Sequence, residues 1–146
     1  MAMTSRAKAS WRGSLFQGAG HTSAGSSAAF EALPLTWRAR TEAHDGQTSP
    51  EELLAAAHAS CFAMAFANGL AQAGNPAEQL DVEAVVTFGK VEAGWRILTS
   101  ALTVSGKVPG IDVAAFKAAA EAAKTGCPVS QALKGNVELT VNATLV

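Results

Sequence analysis

Residues 48–64 read TSPEELLAAAHASCFAM, and this stretch decides the fold. Ser49 can cap a helix, Pro50 suits the first helical position, and Glu52 completes a capping-box pattern. Apolar residues then continue at helical spacing, which predicts a long helix that runs to about Leu70. Because its apolar side chains cover more than one face, a single sheet cannot bury them all.

The residues before this helix favour strands. Alternating apolar and polar side chains predict three of them, around Trp11–Phe16, His21–Ser26 and Leu35–Glu42. Side chains two positions apart in a strand share a face, so the third strand would place Arg38 and Arg40 side by side.

Four further elements are predicted after the long helix: a hairpin of Leu80–Phe88 and Trp95–Ser105, a helix capped by Asp112, a short helix opened by Cys127, and a closing strand from Val137 to Leu145. This order of elements predicts an α+β fold, with antiparallel sheets packed around a long central helix. The length favours a single domain over residues 1–146. The excess apolar surface of the helix favours a homodimer in which it also meets its symmetry mate.

The composition gives no reason to expect a polyanion or a membrane as partner. The 146 residues are 49% hydrophobic and 16% charged, with a net charge of −1, and the charges are scattered. The N-terminus lacks the apolar run of a secretory signal. The apolar stretch Leu53–Ala67 contains His58 and Ser60, and we expect it to be too short and too polar to span a bilayer. The expected compartment is the cytoplasm.

Two cysteines in a reducing compartment are more typical of catalysis, redox sensing or metal binding than of a structural disulfide, although two unrelated buried thiols fit the count as well. Cys127 would cap a short helix, where unpaired N–H groups and the helix dipole lower a thiol pKa. Cys61 lies in mid-helix and would need a cation from elsewhere, for which Arg38, Arg40 and His58 are the candidates. His58 could equally be a helix histidine with an unrelated hydrogen bond.

Glu51 is a candidate for orienting an arginine, because a carboxylate accepts the guanidinium fork in a fixed plane. In a straight helix, however, Cys61 lies ten positions after Glu51, which is about 15 Å along the axis. We therefore expect the glutamate beside a given Cys61 to come from a partner subunit, or else to serve only the helix dipole at its own N-terminus.

Two long motifs carry a family resemblance. Residues 48–64 resemble the first cysteine motif of the OsmC/Ohr family, in its OsmC branch. The segments VPGID at 108–112 and AKTGCPVSQAL at 123–133 resemble the second motif of the same branch. With WRG at 11–13 and the order of elements, the resemblance covers essentially the whole chain.

The resemblance implies a thiol peroxidase that reduces organic hydroperoxides, and hydrogen peroxide more weakly. Cys61 would attack the peroxide and Cys127 would resolve the resulting sulfenic acid as a Cys61–Cys127 disulfide. It also implies an intertwined homodimer with two sites at the subunit interface, no metal or other cofactor, and an external dithiol or lipoyl-type reductant.

The resemblance also implies a charged pair beside the sulfur atoms. The family's glutamate corresponds to Glu51, and its arginine corresponds best to Arg40. Arg38 stays open, because the loop of residues 47–49, between the arginines and Glu51, carries a one-residue insertion relative to the family. Phe62, Met64 and Trp37 are candidates for an apolar lining that favours alkyl hydroperoxides.

Two other functions remain compatible with the residues. His58, Cys61 and Cys127, with His44 or His21, could compose a zinc site, although no paired CxxC motif is present. The chain could also be a non-catalytic dimeric module that senses redox state or binds a ligand, with a regulatory disulfide.

Overall fold

Six strands and four helices follow one another in the order β1 (Ala7–Arg12), β2 (Ala19–Ala24), β3 (Leu33–Thr36), α1 (Trp37–Thr41), α2 (Pro50–Gln72), β4 (Gln79–Val91), β5 (Gly94–Lys107), α3 (Val113–Gly126), α4 (Pro128–Leu133) and β6 (Glu138–Leu145). The computed structural model describes residues 1–146. They divide into two units, Met1–Leu53 and Leu54–Val146. The structure confirms the predicted α+β class.

The first unit contains a three-stranded antiparallel sheet in the order β1-β2-β3. Strand β1 ends at Arg12, and the chain turns at Gly13, whose φ is 88°. Leu15 and Phe16 therefore follow the strand instead of extending it. Trp11 pairs with Gly20 on β2, where a Cβ atom would lie 2.8 Å from the Trp11 ring. Only glycine leaves room for the indole there.

The predicted third strand is wrong beyond Thr36. Thr36 accepts a hydrogen bond at Oγ1 from the Ala39 amide at 3.2 Å, and this cap starts helix α1 at Trp37. In a helix, residues two apart point in nearly opposite directions. Arg38 and Arg40 therefore do not share a face, contrary to the strand prediction.

The predicted start of the long helix is confirmed. The Glu52 amide donates to Ser49 Oγ at 3.0 Å, and Pro50 is the first helical residue. The Glu52 carboxylate accepts from the Thr48 hydroxyl at 2.7 Å, so two neighbouring side chains hold the first turn. Helix α2 then continues without a break for 23 residues.

The second unit contains a mixed sheet in the order β4-β5-β6. Strands β4 and β5 form the predicted hairpin, with Val91 opposite Gly94. Strand β6, however, lies parallel to β5, so the expectation of purely antiparallel sheets is wrong here. A parallel pair needs a long crossover connection, which helices α3 and α4 supply.

The core of the second unit forms where helices α2 and α3 pack against this sheet. Phe62, Phe66 and Phe116 are fully buried in it. The Phe116 ring packs over Gly106 of β5, where a Cβ atom would lie 2.5 Å from the ring. Asp112 caps α3 as predicted, accepting from the Ala115 amide at 2.8 Å.

Helix α2 is more apolar than its role in this core requires. By length and composition alone it could cross a membrane, and 22% of its most apolar window is buried. The sequence expectation concerned only the shorter stretch Leu53–Ala67, and the whole helix Pro50–Gln72 extends beyond that stretch at both ends. Phe62, Phe66 and Leu70 nevertheless lie in the core, while Met64 is 68% exposed.

Candidate active site

Cys127 lies at the junction of two helices in the second unit. It ends α3, donating its amide to the Ala123 carbonyl, and it precedes Pro128 at the start of α4. Its side chain makes no capping hydrogen bond. Its side chain is nevertheless fully buried, because the junction folds it into the core.

Cys61 lies in the middle of α2 and is partly exposed. It lines a cavity of about 610 Å³ between α2 and α3, together with Met64, Ala65 and Ala123. Most of the lining is small and apolar, so the cavity can admit an alkyl chain up to the sulfur. Phe62, also considered as lining, is buried in the core instead.

The structure brings the two cysteines close together as free thiols, near enough for each to change the pKa of the other. Burial raises the pKa of Cys61 most, and hydrogen bonding and charge repulsion from Cys127 raise it further, against a lowering by the Val129 amide. Within one chain, Cys61 is therefore the thiol that ionises less readily.

Cys127 behaves in the opposite way. Burial by itself raises its pKa, but nearby hydrogen-bond donors outweigh that effect and lower the pKa below its usual value. These donors are the Ser130 amide, the Cys61 thiol, the Ser130 hydroxyl and the Val129 amide. A lowered pKa is also what the start of a helix favours for a thiol.

Arg40 and Glu51 form a separate arrangement in the first unit. Arg40 Nη2 donates to Glu51 Oε1 at 2.6 Å, and its Nε donates to Oε2 at 3.1 Å. The Glu51 side chain is 8% exposed and that of Arg40 is 27% exposed. This two-point fork fixes the plane of the guanidinium.

Arg40 also borders an apolar recess. Its guanidinium lies 5.5 Å from the centre of the Trp37 ring, and a cavity of about 240 Å³ is lined by Arg40, Trp37, Trp11 and Leu35, among others. A guanidinium at the rim of an aromatic recess can meet the polar end of a largely apolar molecule.

Arg38 has different partners. It pairs with Glu42 and Asp45, both at 3.3 Å, and its side chain is 65% exposed. Of the two candidate arginines, only Arg40 contacts Glu51.

His58 is fully buried and contacts two serines. Its Nδ1 lies 2.6 Å from Ser100 Oγ, and its Nε2 lies 2.8 Å from Ser130 Oγ. Desolvation by burial lowers its pKa, so it is neutral near pH 7 and does not supply a cation to Cys61. Sequence reasoning missed both serines. The spacing of Ser130 three residues after Cys127 was a signal for one of them, whereas Ser100 had none.

No three His, Cys, Asp or Glu side chains gather into a set that could hold a metal ion. The donors of the zinc alternative are therefore not assembled in this chain.

The geometry can be compared with known proteins. The family model of OsmC-like proteins matches residues 43–142. Peroxiredoxin OsmC of Escherichia coli is 40% identical over 139 residues, which are 95% of this chain and 96% of that protein. The chain belongs to the OsmC-like family. The resemblance seen in the two cysteine motifs is thereby confirmed.

Further relatives of this OsmC-like protein come from the organic hydroperoxide resistance branch. One from Xanthomonas axonopodis pv. citri is 33% identical over 64% of this chain and 65% of its own. The solved structure of OhrB of Bacillus subtilis has a TM-score of 0.75 and 25% identity, over 95% of this chain and 98% of that one. An organic hydroperoxide resistance protein from Elizabethkingia anophelis has a TM-score of 0.74 and 26% identity, over 99% and 100%.

Proposed function

We propose that this OsmC-like protein is a thiol-dependent peroxidase that reduces organic hydroperoxides, and hydrogen peroxide more weakly. The observation that carries the proposal is the pair of free thiols, Cys61 and Cys127, which lie close enough to affect each other's pKa beside an apolar cavity. The names of its relatives, peroxiredoxin and organic hydroperoxide resistance protein, support the same activity.

The cycle has three balanced steps. The Cys61 thiolate attacks one peroxide oxygen, the O–O bond breaks, and the alkoxide takes a proton to leave as an alcohol, so that Cys61 becomes a sulfenic acid. The Cys127 sulfur then displaces the sulfenic hydroxyl, giving a Cys61–Cys127 disulfide and water. An external dithiol, lipoyl-type compounds included, opens that disulfide by exchange and is itself oxidised. No metal or organic cofactor is needed.

Attack by Cys61 requires a cation, because its own surroundings raise its pKa. The Arg40–Glu51 fork supplies a guanidinium of fixed orientation, which can stabilise both the thiolate and the departing alkoxide. Cys61 lies ten positions after Glu51 on the unbroken helix α2, about 15 Å along the axis. We therefore assign the fork beside Cys61 to the partner subunit of a homodimer.

The exposed surface of α2 supports the homodimer. Met64 is 68% exposed on a helix that is apolar along most of its length. A second copy that covers this face would remove apolar surface from water and bring a second fork to the site. A reducing cytoplasm is the compartment that would keep both thiols ready to react.

Steady-state turnover tests the proposal. The reduced protein is given cumene hydroperoxide, tert-butyl hydroperoxide or hydrogen peroxide, each with dihydrolipoamide or dithiothreitol. We expect many turnovers, fastest with the two organic peroxides. Consumption of one equivalent that then stops, despite excess dithiol, would contradict the proposal and favour a redox sensor.

A further inference from the structure

A buried row of four polar groups joins Ser100, His58, Ser130 and Cys127. Ser100 lies on β5, His58 on α2 and Ser130 on α4, so three separate elements meet at this row. His58 and Ser100 are fully buried and Ser130 is 2% exposed. Buried polar groups of this kind need every hydrogen bond satisfied, so the direction of each bond is constrained.

The bonds of Ser100 determine which nitrogen of His58 carries the proton. Nδ1 of His58 is the one atom that the Ser100 hydroxyl hydrogen-bonds, at 2.6 Å. If Nδ1 carried the proton, the buried hydroxyl hydrogen of Ser100 would have no acceptor, which is costly. Ser100 therefore donates to Nδ1, and the neutral imidazole carries its proton on Nε2.

This tautomer determines what Ser130 does. Nε2–H donates to Ser130 Oγ at 2.8 Å, so Ser130 accepts from the histidine. The serine has one hydroxyl hydrogen of its own, and that hydrogen is then free to turn toward the Cys127 sulfur, whose pKa the nearby Ser130 hydroxyl lowers. The third residue after a helix cap lies where a side chain can reach back to that cap, which explains the contact.

We propose that His58 is a positioning residue for Cys127, acting through Ser130: its Nε2–H tautomer, fixed by Ser100, turns the Ser130 hydroxyl hydrogen toward the Cys127 sulfur. The histidine accepts no proton from the thiol and stays neutral. A sulfur that accepts this bond is stabilised as the thiolate. Under the proposed function that thiolate attacks the Cys61 sulfenic acid, so the inference rests on that function for its use, although not for its geometry.

The first test reads the tautomer directly in the reduced, unmodified protein. Nitrogen-15 NMR of the imidazole rings distinguishes Nε2–H from Nδ1–H, and the exposed His21 and His44 give reference signals in the same spectrum. We expect Nε2–H at His58 at neutral pH. An Nδ1–H ring or an imidazolium at His58 would overturn the proposal, because Ser130 would then not receive a bond from a neutral Nε2–H.

The second test measures the pKa of Cys127 as the single thiol of a Cys61→Ser background, by thiolate absorbance and by alkylation rate against pH. Ser130→Ala should raise that pKa by about one unit, the effect of one hydrogen bond to a charged group. His58→Phe should also raise the pKa of Cys127. His58→Gln, whose amide can still donate to Ser130, should leave that pKa close to the value with His58 in place. Ser60→Ala removes an exposed hydroxyl from α2 and should change nothing.

Other groups near Cys127 must be separated from this effect. Lys124 and Lys134 line a cavity of about 190 Å³ next to Ser130, and Lys124 pairs with Glu121. Their influence is electrostatic and falls with salt, whereas a buried hydrogen bond persists. The shift caused by Ser130→Ala should therefore be the same at low and high salt, and its disappearance at high salt would overturn the proposal.

The double variant His58→Phe with Ser130→Ala tests whether His58 affects the pKa of Cys127 only through Ser130. Since His58 acts only through Ser130, the double variant should match Ser130→Ala alone. Additive shifts, or equal shifts for His58→Phe and His58→Gln, would refute the mechanism. If His58→Phe does not fold, the tautomer and the Ser130→Ala and His58→Gln shifts decide the matter. None of these measurements uses peroxide. They can therefore refute the role of His58 while the proposed peroxidase activity stands, and a failed peroxidase assay would leave their outcome unaffected.

Discussion

Arg40 and Glu51 are joined at two points, with Nη2 2.6 Å from Oε1 and Nε 3.1 Å from Oε2. Arg38, two residues earlier, pairs instead with exposed carboxylates. Of these two arginines, only Arg40 has its guanidinium held at two points by a single buried carboxylate.

This difference predicts unequal effects of removing each guanidinium. Arg40→Ala should lower the second-order rate of peroxide reduction by about 10²-fold, the usual cost of losing one preorganised donor to a developing oxyanion. Arg38→Ala is the matched control and should stay close to the parent rate. Stopped-flow measurement of the first oxidation step gives the rate constant of each variant. Equal losses of rate for the two variants would show that the Arg40–Glu51 fork does not determine the rate.

Replacement of each cysteine by serine should have a different effect on the reaction with peroxide. Cys61→Ser should abolish peroxide consumption, because the attacking sulfur is gone. Cys127→Ser should react once, after which the unresolved Cys61 sulfenic acid is oxidised further to sulfinic and sulfonic acids. Intact mass spectrometry after excess peroxide shows the added oxygens. The reverse pattern would mean that Cys127, the more acidic thiol within one chain, is the one that attacks.

The buried His58 predicts a pH dependence of stability. Burial lowers its pKa in the folded state, so between the folded value and the unfolded value of about 6.5 the unfolded chain binds more protons. This contribution is fully present above the unfolded pKa and is lost as the pH falls below it. Urea unfolding at pH 7.5 and pH 5.5 should show a larger loss for the parent than for His58→Gln. Equal losses would mean that His58 accepts a proton in the fold without cost.

Gly106 predicts a steric effect on stability. A Cβ there would lie 2.5 Å from the buried Phe116 ring, so Gly106→Ala should destabilise the protein by about 1–3 kcal/mol, the range for an overpacked core. Gly69→Ala is the control, since nothing lies within 4 Å of its added carbon and alanine favours a helix. Urea unfolding measures both, and an unchanged midpoint for Gly106→Ala would contradict the packing described.

The elements with local signals were predictable from the sequence. Ser49 and Asp112 cap their helices as their spacing indicates, and the hairpin follows from its alternation. The segment after Thr36 was wrongly predicted as a strand, because its residues alternate between apolar and polar although they form a short helix capped by Thr36. Propensity in so short a window is a weak guide when a cap competes with it.

The remaining features depend on contacts between distant residues. The residue pattern of β5 or of β6 alone does not indicate that the two strands pair in parallel. Ser100 lies 42 residues from His58, so no spacing rule connects them. The two cysteines are also remote in sequence, and only the family resemblance, not their spacing, implied that they meet.

The most direct test of the account is to treat the reduced protein with one equivalent of cumene hydroperoxide and map its peptides without a reductant. We predict that both free thiols disappear together and that the peptides containing Cys61 and Cys127 are recovered joined within one chain. An oxidised Cys61 beside a free Cys127, or a disulfide formed only between chains, would contradict it.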